Sequence, residues 1–173
     1  MNRKDGKPIY WSLLAREGWS LHMAATPEGL CFVGSQNKPF DELRDWAARR
    51  FPGGSLVRDD GRLEPYATEL AEYLQGKRQS FTVPFDCGGT AFQLAVWNAL
   101  RCIPYGEVRT YSDIAEQIDK PSAARAVGAA IGANPVLITV PCHRVVGKDG
   151  TMTGYRGGLP MKKRLLQLER ESV

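Results

Sequence analysis

The sequence predicts an α+β protein in two parts. A small N-terminal domain of β-sheet plus helix spans residues 1–88, and a mainly helical domain with a helix-turn-helix spans 89–173. Three observations carry this. Short apolar and aromatic segments broken by glycine and proline open the chain. Amphipathic stretches with caps and stops fill its second half. Between them, Cys87-Gly88-Gly89 interrupts both patterns.

In order, Ile9–Leu14, Trp19–Ala25 and Leu30–Val33 read as strands of an antiparallel meander, separated by Gly18 and Pro27-Glu28-Gly29. Phe40–Phe51 is a helix with Phe40, Leu43 and Ala47 on one side, stopped by Pro52-Gly53-Gly54. A second helix is expected from Pro65 to Gln75. Proline suits the first helical position, Gly76 suits the stop, and Tyr66, Leu70, Tyr73 and Leu74 form its apolar stripe. Phe81, Val83 and Phe85 alternate as a further strand.

Past the boundary, Thr90 and Gln93 match a capping box ahead of a helix burying Phe92, Val96, Ala99, Leu100 and Ile103. Pro104-Tyr105-Gly106 ends it. Ser112 is expected to cap a short helix through Ile118, and Ser122 a second one to about Ala133. Two short helices across a tight turn outline a helix-turn-helix. A last helix from Pro160 turns Met161, Leu165, Leu166 and Leu168 inward, with Glu169 near its end.

Composition narrows the function. The 173 residues suffice for a substantial core. No apolar run approaches a membrane span, and the polar start Met1–Pro8 lacks a signal-peptide apolar region, so a cytoplasmic protein with no membrane association is expected. Cys31, Cys87, Cys102 and Cys142 are scattered, with only His22 and His143 to join them. That spacing argues against a metal site and a disulfide framework. Residues 1–89 are electrically neutral, and the whole +4 charge lies in residues 90–173. A basic half suits a polyanion as partner.

The stretch Ile138-Thr139-Val140-Pro141-Cys142-His143-Arg144 concentrates the chemistry. Its β-branched run reads as a buried strand ended by Pro141. A soft nucleophile, a titratable base and a fixed positive charge follow. Positive charge beside a thiol favours the thiolate. The alternative is a buried structural cysteine beside a surface His-Arg pair. In the helix after Ser122, Gly128 and Gly132 each cost about 1 kcal/mol relative to alanine, and Arg125 is the one long charged side chain. Such a helix admits close approach of another backbone, either a second helix or a nucleic-acid groove. Glu169 fits a partner for His143. The glycine-rich loop around Tyr155 lacks the lysine and spacing of a P-loop.

Several of these segments together resemble the O6-alkylguanine-DNA alkyltransferases. The shared motifs are Pro-Tyr-Gly-Glu-Val at 104–108, Tyr111, Ala-Ala-Arg-Ala-Val-Gly at 123–128, Asn134-Pro135, Pro-Cys-His-Arg-Val at 141–145, Gly154-Tyr155 and the closing Leu-Leu-x-Leu-Glu. They occur in order from about Thr90 to Glu169, nearly half the chain. The N-terminal part is only loosely similar. A sister group of alkyltransferase-like proteins has tryptophan where Cys142 stands, so Cys142 aligns this chain with the active branch.

The resemblance implies a ribonuclease H-like first domain and a winged-helix-like second one. It implies irreversible, single-turnover transfer of an alkyl group from guanine O6 in duplex DNA to Cys142, with thymine O4 as a second candidate donor. His143 takes the thiol proton and Glu169 orients the imidazolium, as in triad logic. Asn134 shapes the hydrogen bonding of the cysteine, and Tyr111 donates to guanine N3. Tyr155, Val145, Arg156 and Leu137 form the base pocket. Arg125 fills the gap left by a flipped base, with Ser122, Ala124, Ala126, Gly128 and Tyr111 against DNA in the minor groove. No cofactor is needed, and the protein is expected to be a monomer. Two rival classes remain at this stage: a thiol hydrolase, for which no oxyanion-hole motif is present, and a helix-turn-helix regulator.

Overall fold

The computed structural model describes residues 7–172, so most of the polar start lies outside the described residues. The chain forms two compact units, the first ending at Cys87 and the second beginning at Gly88.

In the first unit, β1 (Pro8–Arg16), β2 (Trp19–Thr26) and β3 (Gly29–Val33) form the expected antiparallel meander. Glu17 and Gly18 both take positive φ (51° and 80°) in the two-residue loop pairing Arg16 with Trp19. That is the turn whose twist suits a tight hairpin. A fourth strand, β4 (Ser55–Arg58), pairs parallel to β1 and gives the order β3-β2-β1-β4. Only Leu56 and Val57 lend it apolar character, so the sequence does not announce it. Helix α1 (Asp41–Arg50) buries Leu43 and Ala47.

Two expectations for this unit are corrected. Helix α2 (Asp60–Leu74) starts five residues before Pro65, because the Asp59 side chain accepts from Arg62 N (3.0 Å) and fixes the first turn upstream. Residues 81–85 form no strand beyond an isolated parallel bridge between Leu30 and Phe85. Their backbone is captured instead by Glu69, which accepts from Thr82 N (2.7 Å), Thr82 Oγ1 (2.6 Å) and Val83 N (3.3 Å). Leu30 N also donates to Pro84 O at 2.9 Å. A Cβ on Gly29 would lie 2.7 Å from that same carbonyl oxygen, so only glycine allows the approach.

In the second unit, α3 (Ala91–Arg101) begins with the expected Thr90–Gln93 capping box. It packs against α4 (Tyr111–Gln117) and α5 (Ala124–Gly132), and Trp97 Nε1 donates to Ala130 O at 2.9 Å. Ser112 and Ser122 are not caps. Thr110 and Asp113 exchange side-chain bonds to open α4, leaving Ser112 inside the helix. Ala123 precedes α5 without a side-chain cap, and Ser122 lies exposed in the turn. Short strands β5 (Arg109–Thr110) and β6 (Val145–Val146) pair in parallel, so the start of α4 sits beside the chain leaving Cys142. Helix α6 (Leu159–Glu171) closes the unit. Among the described residues no helix is long and apolar enough to cross a membrane, and no cluster of three metal-ligating side chains occurs.

Candidate active site

The apolar run before Cys142 is buried as expected, with Val136, Leu137, Ile138 and Val140 all at 2% exposure or less. It is not a strand. Ile138 takes φ of 69°, a left-handed conformation that β-branched residues rarely adopt. Asn134 overrides the strand preference. Its Oδ1 accepts from Val136 N (2.9 Å) and its Nδ2 donates to Val140 O (3.0 Å), closing the segment into a tight turn. The same Nδ2 donates to Cys142 Sγ at 3.3 Å. One amide therefore shapes the turn and solvates the sulfur.

Cys142, His143 and Arg144 form a single 3₁₀ turn, all buried. His143 Nε2 lies 2.6 Å from Glu169 Oε2. A carboxylate only accepts, so Nε2 carries the hydrogen and Nδ1 is the basic nitrogen. Glu169, fully buried on α6, also accepts from Arg144 Nε (2.8 Å), Arg144 Nη2 (3.0 Å) and Gly106 N (3.2 Å). Arg144 Nη1 donates to Ile103 O at 2.7 Å, which ties the Pro104–Val108 motif to the site.

Burial lowers the pKa of His143. The attraction of Glu169 opposes this but is shared with Arg144, so the resting imidazole is neutral. Burial also raises the Cys142 thiol, against the Asn134 hydrogen bond and the charges of Arg156 and Lys162. This corrects the expectation that Arg144 activates the thiol. Its guanidinium is engaged by Glu169, and the cations acting on the sulfur are Arg156 and Lys162. The resting cysteine is a protected thiol that ionises only when a base removes its proton.

Cys142 opens onto a cavity of about 260 Å³ whose walls include Tyr111, Gly128, Gly132, Tyr155 and Arg156. Arg156 is fastened by Nε to Asn134 O (3.1 Å) and by Nη2 to Pro135 O (3.2 Å). The Tyr155 hydroxyl is buried and has no hydrogen-bond partner among the described residues. Leu137 and Val145 are fully buried behind the lining rather than in it. Arg125 and Ala126 are exposed on α5, with Ala124 half-buried. A Cβ on Gly132 would meet nothing within 4 Å, and one on Gly128 only the Tyr111 ring at 3.8 Å. Packing within this chain therefore requires neither glycine.

Sequence reasoning missed Lys162 and Thr153. Lys162 is 1% exposed and donates to Val145 O at 2.6 Å. Its position on the Met161–Leu165–Leu166 face of α6 was the available signal. Thr153 had none.

A buried thiol, an imidazole–carboxylate pair and an open pocket beside a helix-turn-helix define a cysteine-nucleophile type of site. Family comparison agrees. Residues 9–87 match the 6-O-methylguanine DNA methyltransferase ribonuclease-like domain, and residues 91–171 match the DNA-binding domain of the same proteins. The chain belongs to the 6-O-methylguanine DNA methyltransferase family. It is 64% identical to the inducible methylated-DNA–protein-cysteine methyltransferase of Bacillus subtilis, over 98% of this chain and 95% of that one. The crystal structure of Mycobacterium tuberculosis O6-methylguanine methyltransferase superposes with a TM-score of 0.82 at 37% identity, covering 95% of this chain and 94% of that one. The same organism's protein in complex with DNA superposes at 0.77 and 34% identity, covering 96% and 94%. The expected two-part α+β fold, including the ribonuclease-like first part, is thereby established.

Proposed function

We propose that this protein repairs DNA by direct reversal, moving the alkyl group of O6-alkylguanine irreversibly onto its own Cys142. The single observation that carries this reading is a thiol held neutral by burial, solvated by Asn134 and open to a pocket walled by the helix-turn-helix. Family membership and the methyltransferase names of the relatives support it.

The thiol proton passes to His143 Nδ1 through a bridging water, since Nε2 is held by Glu169. Glu169 stabilises the imidazolium as it forms. The Cys142 sulfur then bonds to the alkyl carbon as the carbon–O6 bond breaks. The electron pair stays on the base, which takes up one proton to become guanine. Tyr111, on the cavity wall, donates a hydrogen bond to N3 as that charge develops. The product thioether has no route back, so each molecule acts once.

The target atom is stacked in a duplex, so the base must be extruded, at a cost of a few kcal/mol. Arg125 fills the vacated space. Ala124 and Gly128, one turn apart on α5, line the minor groove together with Ala126, flanked by Ser122. The two glycines that no internal packing requires support close approach by an outside partner. Residues 89–173 carry the DNA binding and the chemistry, and residues 1–88 support them. The protein acts as a cytoplasmic monomer without cofactor.

Intact-mass measurement after mixing with an O6-methylguanine duplex tests this. One methyl, about 14 Da, is gained on Cys142 through thiol alkylation, and Cys142→Ser gains nothing. With excess lesion, conversion stops at one equivalent. Continued turnover would identify a hydrolase, and sequence-selective DNA binding without mass gain would identify a regulator.

A further inference from the structure

Behind Tyr111 on the cavity wall runs a polar chain through Thr153, a residue the mechanism above does not use. The Tyr111 hydroxyl lies 2.6 Å from Thr153 Oγ1, and either oxygen can be the donor. Lys162 sits behind Thr153. Its Nζ donates to Val145 O (2.6 Å), Thr153 O (3.3 Å) and, at the longest reach, Thr153 Oγ1 (3.5 Å). Lys162 is 1% exposed, so this ammonium is held inside by its partners rather than by water.

An ammonium has three hydrogens and accepts nothing. With the Lys162 ammonium behind it, the Thr153 hydroxyl is favoured with its oxygen toward that charge and its hydrogen turned away. Tyr111 oxygen is the acceptor within reach. Once that oxygen accepts from Thr153, the phenolic hydrogen is left to point into the cavity. We infer that Thr153, oriented by Lys162, is a positioning residue that fixes the donor direction of Tyr111 toward the bound base. The sense Lys162→Thr153→Tyr111→base runs from fixed positive charge toward the atom where negative charge develops. Each donated bond polarises the next in that direction. Without the Thr153 hydroxyl, Tyr111 keeps its ring position beside Gly128 but its hydrogen is free to rotate away from the base.

This inference rests on the proposed alkyl transfer. The experiment follows first-order alkylation of Cys142 at saturating O6-methylguanine duplex. Thr153→Val keeps the methyl group that packs over Gly147 and removes only the hydroxyl. Its rate constant should fall about tenfold, the size of one hydrogen bond made in the transition state. Thr153→Ala, which also lacks the hydroxyl, should fall equally, and Thr153→Ser should stay within about twofold of the parent. Lys162→Met should slow the parent. The deciding readout is a double-mutant cycle. In a Tyr111→Phe background, Thr153→Val should have no further effect. A merely structural role would slow both backgrounds alike. The inference is overturned if Thr153→Val and Thr153→Ala transfer at the parental rate, or if they slow Tyr111→Phe by the same factor. If the parent protein is never alkylated, the proposed function itself fails and this inference falls with it.

Discussion

Gly128→Ala separates the folding role of α5 from its docking role, because the two respond with opposite signs. Gly128 is an interior residue of Ala124–Gly132. A methyl group there meets only Tyr111 ring carbons at 3.8 Å, an ordinary contact. No steric penalty offsets the helix-propensity gain, so the variant should be more stable by about 1 kcal/mol. That corresponds to a rise of roughly 2–4 °C in melting temperature for a chain of this size. On the docking side, the same methyl occupies space that an approaching DNA backbone would need. Forcing one methyl into a close-packed contact costs about 1–3 kcal/mol, or roughly 5- to 150-fold in Kd. Thermal unfolding and duplex titration at one fixed salt concentration measure both quantities on the same preparation. A stabilised protein with unchanged DNA affinity would refute the docking role of α5. A destabilised one would refute the reading that Gly128 has no packing duty.

Other perturbations test the remaining parts. Glu169→Gln leaves Arg144 buried beside a neutral amide, so urea unfolding should show a loss of about 3–5 kcal/mol, and alkyl transfer should slow because the imidazolium loses its counter-charge. Arg125→Ala should slow transfer from duplex DNA roughly tenfold or more while leaving transfer from a single strand nearly unchanged, since only the duplex leaves a gap to fill. Stability should also report the buried His143 and Cys142. His143 is depressed, so the unfolded chain binds the extra proton and stability falls as pH drops below about 6.5. Cys142 is raised, so the unfolded chain loses its proton first and stability falls as pH climbs above about 8.5. Urea midpoints across this range should form a plateau between those limits, and Cys142→Ser should reduce the alkaline slope without touching the acid one, the remaining slope belonging to the Cys31 thiol, which burial also raises.

Much of this was legible because local chemistry decided it. The Thr90–Gln93 capping box needs only two side chains three residues apart, and the meander needs only punctuation around apolar runs. Glu169 lies one helical turn past Leu165 and Leu166, so a carboxylate on that buried face required a partner. What failed was decided across longer spans. Nothing in Ile138–Val140 announces that Asn134 will bend it, and Phe81–Phe85 loses its strand to Glu69 from a neighbouring helix. Arg144 reads as an activator of its neighbour until Glu169 engages it. Lys162 shares the helical face of Leu165 and Leu166, but which partners let a lysine stay buried there, the Val145 and Thr153 oxygens, is set outside α6.

Four donors converge on the single Glu169 carboxylate, from the Cys142–Arg144 turn and from the Gly106 loop. Its loss would remove a large share of the 5–15 kcal/mol that typically separates a folded domain from its unfolded chain. A copy damaged at this position therefore gives up its shape together with its chemistry. Such a copy is expected to spend more of its time unfolded and open to proteolysis than the parent, rather than lasting as an inert body on a lesion.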